Sequence, residues 1–191
     1  MDDVDAMTLV HDYLAENKLR VRSLDDVLRS KVVSSVSALD RLLHDIIHIG
    51  MIDIYAGHRA STAKYLGETI PIGVVARLKV AGDSLNDSVF SRTIRNKLRA
   101  LSFQSPDKVA DGLSYIWAEN RKWQKIAAVM GEDEAYVRAT LETIVHRRNS
   151  IAHEADMDAE YKFKRSIDLQ LTTDFARFIR KLGETIHGLV R

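Results

Sequence analysis

The stretch Ile144-Val145-His146-Arg147-Arg148-Asn149-Ser150-Ile151-Ala152-His153 concentrates more reactive side chains than any other part of the chain. It joins a guanidinium that stays charged at any workable pH to an imidazole that titrates near neutrality. RNA carries its own nucleophile, so its cleavage needs a base for the 2′-hydroxyl proton, an acid for the leaving 5′-oxygen, and positive charge on the phosphate between them. His153 suits either proton transfer, and Arg148 suits the phosphate through its paired N–H donors. Asn149 could position the 2′-hydroxyl or the imidazole.

Spacing restricts how these groups can meet. On a straight helix Arg148 and His153 point roughly 140° apart, whereas Asn149 and His153, four residues apart, share a face. Either the helix ends or bends near Ser150, or the Arg of one chain works beside the His of another. Both arrangements suit a two-fold interface, which would also supply two histidines for the two proton transfers. The bland alternative is a solvated helix end, with Arg148 paired to a carboxylate and His153 meeting the negative end of the helix dipole.

Lesser candidates surround this motif. His146 and Arg147 flank it and are candidates for RNA contact. Asp40 could orient His44, four residues on, as a carboxylate orients a catalytic imidazole, and both are candidates for RNA contact, although pairs of this spacing are more often structural. His146, His153 and Glu142 fit no standard zinc spacing, so neither a metal nor another cofactor is expected. Arg121, Lys122, Lys125, Arg138, Lys162, Lys164 and Arg165 could add a basic rim, but interleaved acids such as Glu142, Glu154 and Asp158 read as ordinary solvated faces. Trp117 and Trp123 lie in helical stripes and belong to a core or interface before any stacking on bases.

Helices must hold these residues. Nine glycines and two prolines are too few to punctuate an all-β chain, and apolar residues recur at three-and-four spacing. That spacing predicts a helix over 5–16, with Leu9, Val10, Tyr13 and Leu14 along one face. A polar connection over 17–22 follows. A second helix is capped at Ser23 and runs to about Gly50, with a break near Ser30 or Ser34-Ser35. An irregular connection over 51–69 leads to a short helix from Pro71 to Gly82, and then to one that starts at Asp83 or Ser84 and lays Leu85, Val89, Phe90, Ile94, Leu98 and Leu101 along one face. Ser105-Pro106-Asp107 is a strong helix start, with an apolar side that can extend to Trp123 and Met130. Glu132, Asp133 and Glu134 open the helix that delivers the motif. A polar stretch over 154–165 precedes a last helix capped at Thr172 or Thr173.

Hydrophobic residues make up 46% of the 191 and charged residues 29%, a balance that fits one domain over 1–191, with an N-terminal helix and connection over 1–22 and a core bundle over 23–191. Cysteine is absent, which excludes disulfides and thiolate metal sites. No basic-then-apolar leader and no apolar run of about 20 residues is present, so a cytoplasmic protein with no membrane contact is expected. A net charge of +1 argues against a general electrostatic grip on nucleic acid and leaves RNA binding to local surfaces.

The motif with its flanking helices resembles the Arg-x4-6-His signature of the HEPN superfamily. The string over 145–156 is similar to the RiboL-PSP-HEPN branch, as are Ser37-Ala38-Leu39-Asp40-Arg41-Leu42-Leu43-His44-Asp45 and Ser102-Phe103-Gln104-Ser105-Pro106. The resemblance runs from about Leu24 to Leu189. It implies an all-α HEPN-type bundle of roughly four to five core helices plus short extra ones, dimerising through the motif region. It also implies, in active members, metal-independent endoribonuclease activity that leaves 2′,3′-cyclic phosphate and 5′-hydroxyl ends. Arg148 and His153 match the two signature residues, and Asn149 matches the polar residue that commonly follows the Arg. Such proteins often act in toxin-antitoxin or other defence systems, which implies RNA, a second copy and an antitoxin or defence protein as partners. Some HEPN proteins only bind RNA or a partner, so a non-catalytic adaptor is the second reading.

Overall fold

The computed structural model describes residues 2–16, 21–80, 83–158, 160 and 163–191, with the backbone alone at 21–23, 80 and 83–86. The expected connection at 17–20, Gly82, the side chain of Leu85, and Lys162 of the basic rim lie outside the described residues or side chains; the second helix already includes Val21, so Ser23 lies within it rather than capping it, and the helix expected from Asp83 or Ser84 includes Asp83. Among the described residues the chain is all-α, with no strand and one isolated bridge between Met157 and Lys164. The helices are α1 (Asp2–Glu16), α2 (Val21–Tyr55), α3 (Ala63–Leu66), α4 (Ile72–Val80), α5 (Asp83–Leu98), α6 (Pro106–Leu113), α7 (Lys122–Met130), α8 (Glu134–Glu154) and α9 (Leu169–Val190). None is long and apolar enough, among the described residues, to cross a membrane.

The chain groups into two compact units. The first takes Met1–Leu39 and Trp123–Leu189. Its buried residues repeat at helical spacing: Leu28, Val32 and Val36 on α2, Val137, Leu141 and Ile144 on α8, and Ile179, Leu182 and Ile186 on α9. Each such side chain contributes roughly 1.5–3 kcal/mol when fully buried. Leu28, Val32 and Ile167 form a cluster against which Ile151, Leu169 and Phe175 pack, and this contact fixes the rotation of the motif end of α8. The second unit takes Asp40–Lys122 and Val190–Arg191. It buries Leu43, Ile47 and Met51 of α2, Phe90, Ile94 and Leu98 of α5, and Phe103 and Leu113 around α6, and α4 packs against α5.

Several elements depart from the pattern expected of the sequence. The second helix neither breaks at its serines nor stops at Gly50; it is continuous for 35 residues. Ser30, Ser35 and Ser37 donate their hydroxyls to the carbonyls of Asp26, Lys31 and Val33 at 2.9, 2.8 and 2.9 Å, which satisfies them inside a helix. Gly50 serves close packing instead: a Cβ there would lie 2.7 Å from both Ile116 and Arg59. The connection expected over 51–69 is partly ordered helix. α2 reaches Tyr55, Gly57 turns the chain at φ +77°, and Thr62 caps α3 by accepting from the Tyr65 N–H at 3.1 Å.

α6 stops at Leu113, and a separate α7 carries the buried Trp123. The last helix starts three residues before Thr172, because Asp168 caps it by accepting from the Leu171 N–H at 2.8 Å. Thr172 is buried within the helix. On α1 only Val4 is buried, whereas Leu9 and Tyr13 are 72% and 64% exposed, so the expected stripe is not core.

Candidate functional site

α8 is capped by Asp133, whose carboxylate accepts from the Ala135 and Tyr136 N–H groups at 2.8 and 3.2 Å. It stays helical through Ser150 to Glu154, so it does not end within the motif. Ile144 and Ile151 face inward, which at helical spacing turns His146, Asn149 and His153 to the opposite face. His146 and His153 are exposed there, and Asn149 is half-buried. Arg148 leaves the flank of the buried face, yet its Nη1 donates to Asn149 Oδ1 at 2.9 Å. That bond draws the guanidinium toward the face of Asn149 and His153. Among the described residues no carboxylate pairs with Arg148, and its buried Nε has no hydrogen-bond partner. A guanidinium without a carboxylate partner can offer its terminal N–H donors to a phosphate.

Arg147, one residue earlier, is engaged elsewhere. After α8, Ala155 and Asp156 both take left-handed backbone, at φ 51° and 59°, which costs roughly 1–2 kcal/mol per non-glycine residue. Their N–H groups close on the Ser150 carbonyl. The reversal brings Asp156 back into the unit, where it is fully buried. Its Oδ2 accepts from Arg29 Nε at 2.8 Å and from Arg147 Nη2 at 3.0 Å. Arg147 also donates to the Ser166 carbonyl at 2.8 Å and Arg29 to the Arg165 carbonyl at 2.9 Å. Burial pulls the Arg147 pKa down, against the opposing pull of Asp156. Arg165 donates to the Ser150 hydroxyl at 3.3 Å, and Lys164 bonds Asp26 at 3.0 Å, holding that carboxyl below its usual range. The motif end of α8 is thereby tied to α2 and to the segment that follows it. Ala155→Gly removes backbone strain and should stabilise the protein by about 1 kcal/mol. A melting curve should then rise by roughly 2–4 °C.

A family profile described as RiboL-PSP-HEPN matches residues 5–191. The chain belongs to this family. The match begins within α1, earlier than the Leu24 at which the resemblance is legible by eye. No curated protein and no solved structure gives a significant match. Membership makes this a HEPN protein of a superfamily in which RNases and adaptors both occur.

The remaining candidates of this HEPN protein divide between its two units. Asp40 and His44 lie in the second. Asp40 Oδ1 accepts from the Phe103 N–H at 2.6 Å and its Oδ2 from Gln104 Nε2 at 3.3 Å. His44 Nε2 is 4.0 Å from Asp40, and its ring tilts against Phe103 at 4.7 Å. The two stretches that carry the family resemblance outside the motif are thus joined by one carboxylate. Asp40→Ala should destabilise the protein by about 1–3 kcal/mol, the cost of leaving those donors unmet.

Arg121 and Lys122 also lie in the second unit, while Lys125, Arg138, Lys164 and Arg165 lie in the first. Lys122 donates to the Glu119 carbonyl at 2.6 Å, and burial lowers its pKa. Arg138 is 3.8 Å from Glu134. Among the described residues no three His, Asp or Glu side chains gather as metal ligands would. The residues missed by sequence reasoning are Arg29 and Asp156. Nothing local marks them, since they are 127 positions apart.

Proposed function

We propose that this RiboL-PSP-HEPN protein is a cytoplasmic, metal-independent endoribonuclease, a single HEPN domain over 1–191 that acts as a symmetric dimer. The observation that carries the reading is the Arg148 guanidinium, unpaired with any carboxylate among the described residues and tethered to Asn149 on the face that exposes His153. One His153 takes the 2′-hydroxyl proton as that oxygen attacks phosphorus, and the other gives a proton to the departing 5′-oxygen. The P–O5′ bond breaks, and a 2′,3′-cyclic phosphate remains. Arg148 meets the charge that grows on the pentavalent phosphate. Asn149 holds the guanidinium in place and orients the 2′-hydroxyl or the imidazole. Each chain contributes one motif histidine, so the two proton transfers call for a second copy. A defence or toxin-antitoxin setting fits such an activity, with a partner protein that restrains it.

Arg147 acts in this scheme by anchoring the end of α8 through Asp156 rather than by holding phosphate. The test is incubation of the pure protein with labelled single-stranded RNA in EDTA. Cyclic-phosphate and 5′-hydroxyl ends are expected. Uncut RNA with only a mobility shift would favour the adaptor, and 3′-hydroxyl ends would exclude attack by the 2′-oxygen.

A further inference from the structure

Between α4 and α5, in the second unit, lies a cleft of about 870 Å³. Its charged lining among the described residues is Arg77, Arg92 and Lys97, with no carboxylate among them. Lys97 is partly neutralised by its ion pair with Glu68. Arg77 spends its Nε on the Gly73 carbonyl at 3.2 Å, which leaves its two terminal nitrogens for a ligand. Arg92 is exposed, with no partner among the described residues. The lining also includes the apolar side chains of Pro71, Val74 and Val89, of which Val74 is buried.

Local charge strengthens the case. Residues 69–99 hold six Lys or Arg against two Asp, a surplus of four in a chain whose net charge is +1. A net charge of +1 gives the chain little general attraction for nucleic acid, whereas this segment carries a local surplus of positive charge. A cationic edge beside an apolar wall matches the two ends of a nucleotide, the phosphate and the flat face of the base. The cleft also falls within the size range of pockets that enclose small ligands, roughly 300–1,000 Å³.

We infer that the α4–α5 cleft is an anchoring site for single-stranded RNA, with backbone phosphates on Arg77 and Arg92 and a base against Pro71, Val74 and Val89. It rests on the reading of RNA as the ligand of this protein and adds a contact on a unit other than the one that carries Arg148 and His153. The cleft sets affinity and takes no part in bond cleavage.

The test separates binding from chemistry. A fluorescent 2′-O-methyl oligoribonucleotide lacks the nucleophile, so its binding to the full chain is read by anisotropy whether or not the protein is a nuclease. Arg77→Ala/Arg92→Ala should raise Kd about 10-fold and make the plot of log K against log salt shallower by about 1.4, the slope for two phosphates of a single strand. Arg95→Ala/Arg99→Ala removes the same charge from exposed positions that do not line the cleft, and it should change Kd less than about 2-fold. An unchanged Kd in the first variant, or an equal loss in the second, overturns the assignment. So does calorimetric binding of AMP that depends on Arg77 and Arg92 while the oligonucleotide is unaffected, since the cleft would then serve a free nucleotide. Failure of wild-type protein to cut RNA, with the first pattern intact, removes the nuclease reading and leaves the cleft.

Discussion

Arg148→Ala and His153→Ala should each reduce RNA cleavage by about 1,000-fold or more, while leaving the melting temperature and the oligomeric state unchanged. The size follows from what each group does. Removing a positioned acid or base loses on the order of 10²–10⁴ in rate, and removing a donor aimed at developing charge loses about 10²–10³. The stability side follows from placement. His153 is exposed in the last turn of α8, and Arg148 pairs only with its neighbour Asn149 among the described residues. Neither substitution opens a cavity or orphans a buried charge, so the change in stability stays within roughly 0.5 kcal/mol. Arg148→Lys should also remain inactive, because a point charge on a flexible stem does not reproduce the fork of a guanidinium. Single-turnover cleavage and thermal melts of the same preparations measure both sides together.

Asp156→Ala should be the most damaging single change to the fold, costing about 3–5 kcal/mol. It strips the buried carboxylate from between Arg29, itself buried, and the half-buried Arg147. The backbone adds to the loss, since alanine at φ 59° gains nothing to offset its strain. A fall in melting temperature of roughly 6–20 °C is expected for a chain of this size. Asp156→Asn should lose less, because asparagine tolerates the left-handed region and keeps an acceptor for the two arginines. Arg147→Ala should resemble Asp156→Ala in direction, in contrast to its neighbour Arg148. Such a contrast between adjacent arginines would assign Arg147 to the fold and Arg148 to the chemistry, and would distinguish this arrangement from a uniformly basic helix end.

The motif, its helix and the all-helical class were legible in the residues themselves. Apolar spacing marked α8, Ser105-Pro106-Asp107 marked the start of α6, and Asp133 in the acidic run became the cap of α8. What escaped reading depends on distant partners or on choices between equivalent signals. The stretch after His153 looked too charged to be buried, yet Asp156 is fully enclosed because Arg29, far away in sequence, neutralises it. Ala155 carries no glycine signal for the left-handed turn it makes. Gly50 looked like a helix end, although the close approach of Ile116 is what excludes a side chain there. Asp168 and Thr172 are both good caps, and only the path of the preceding segment selects the first. Whether Asp40 turns toward RNA or toward the backbone of Phe103 was likewise undecidable from a four-residue spacing, and the structure turns it to the backbone.

The demand for two imidazoles at one phosphate can be measured by dilution with a dead partner. Wild-type protein and His153→Ala are co-expressed in equal amounts, so that subunits pair at random, and cleavage is compared with the same total of wild-type protein. If both copies of His153 serve one phosphodiester, only wild-type homodimers cut, and activity falls to about one quarter. Activity of about one half, in proportion to the wild-type chains present, would mean that each subunit works alone and that the paired site does not exist.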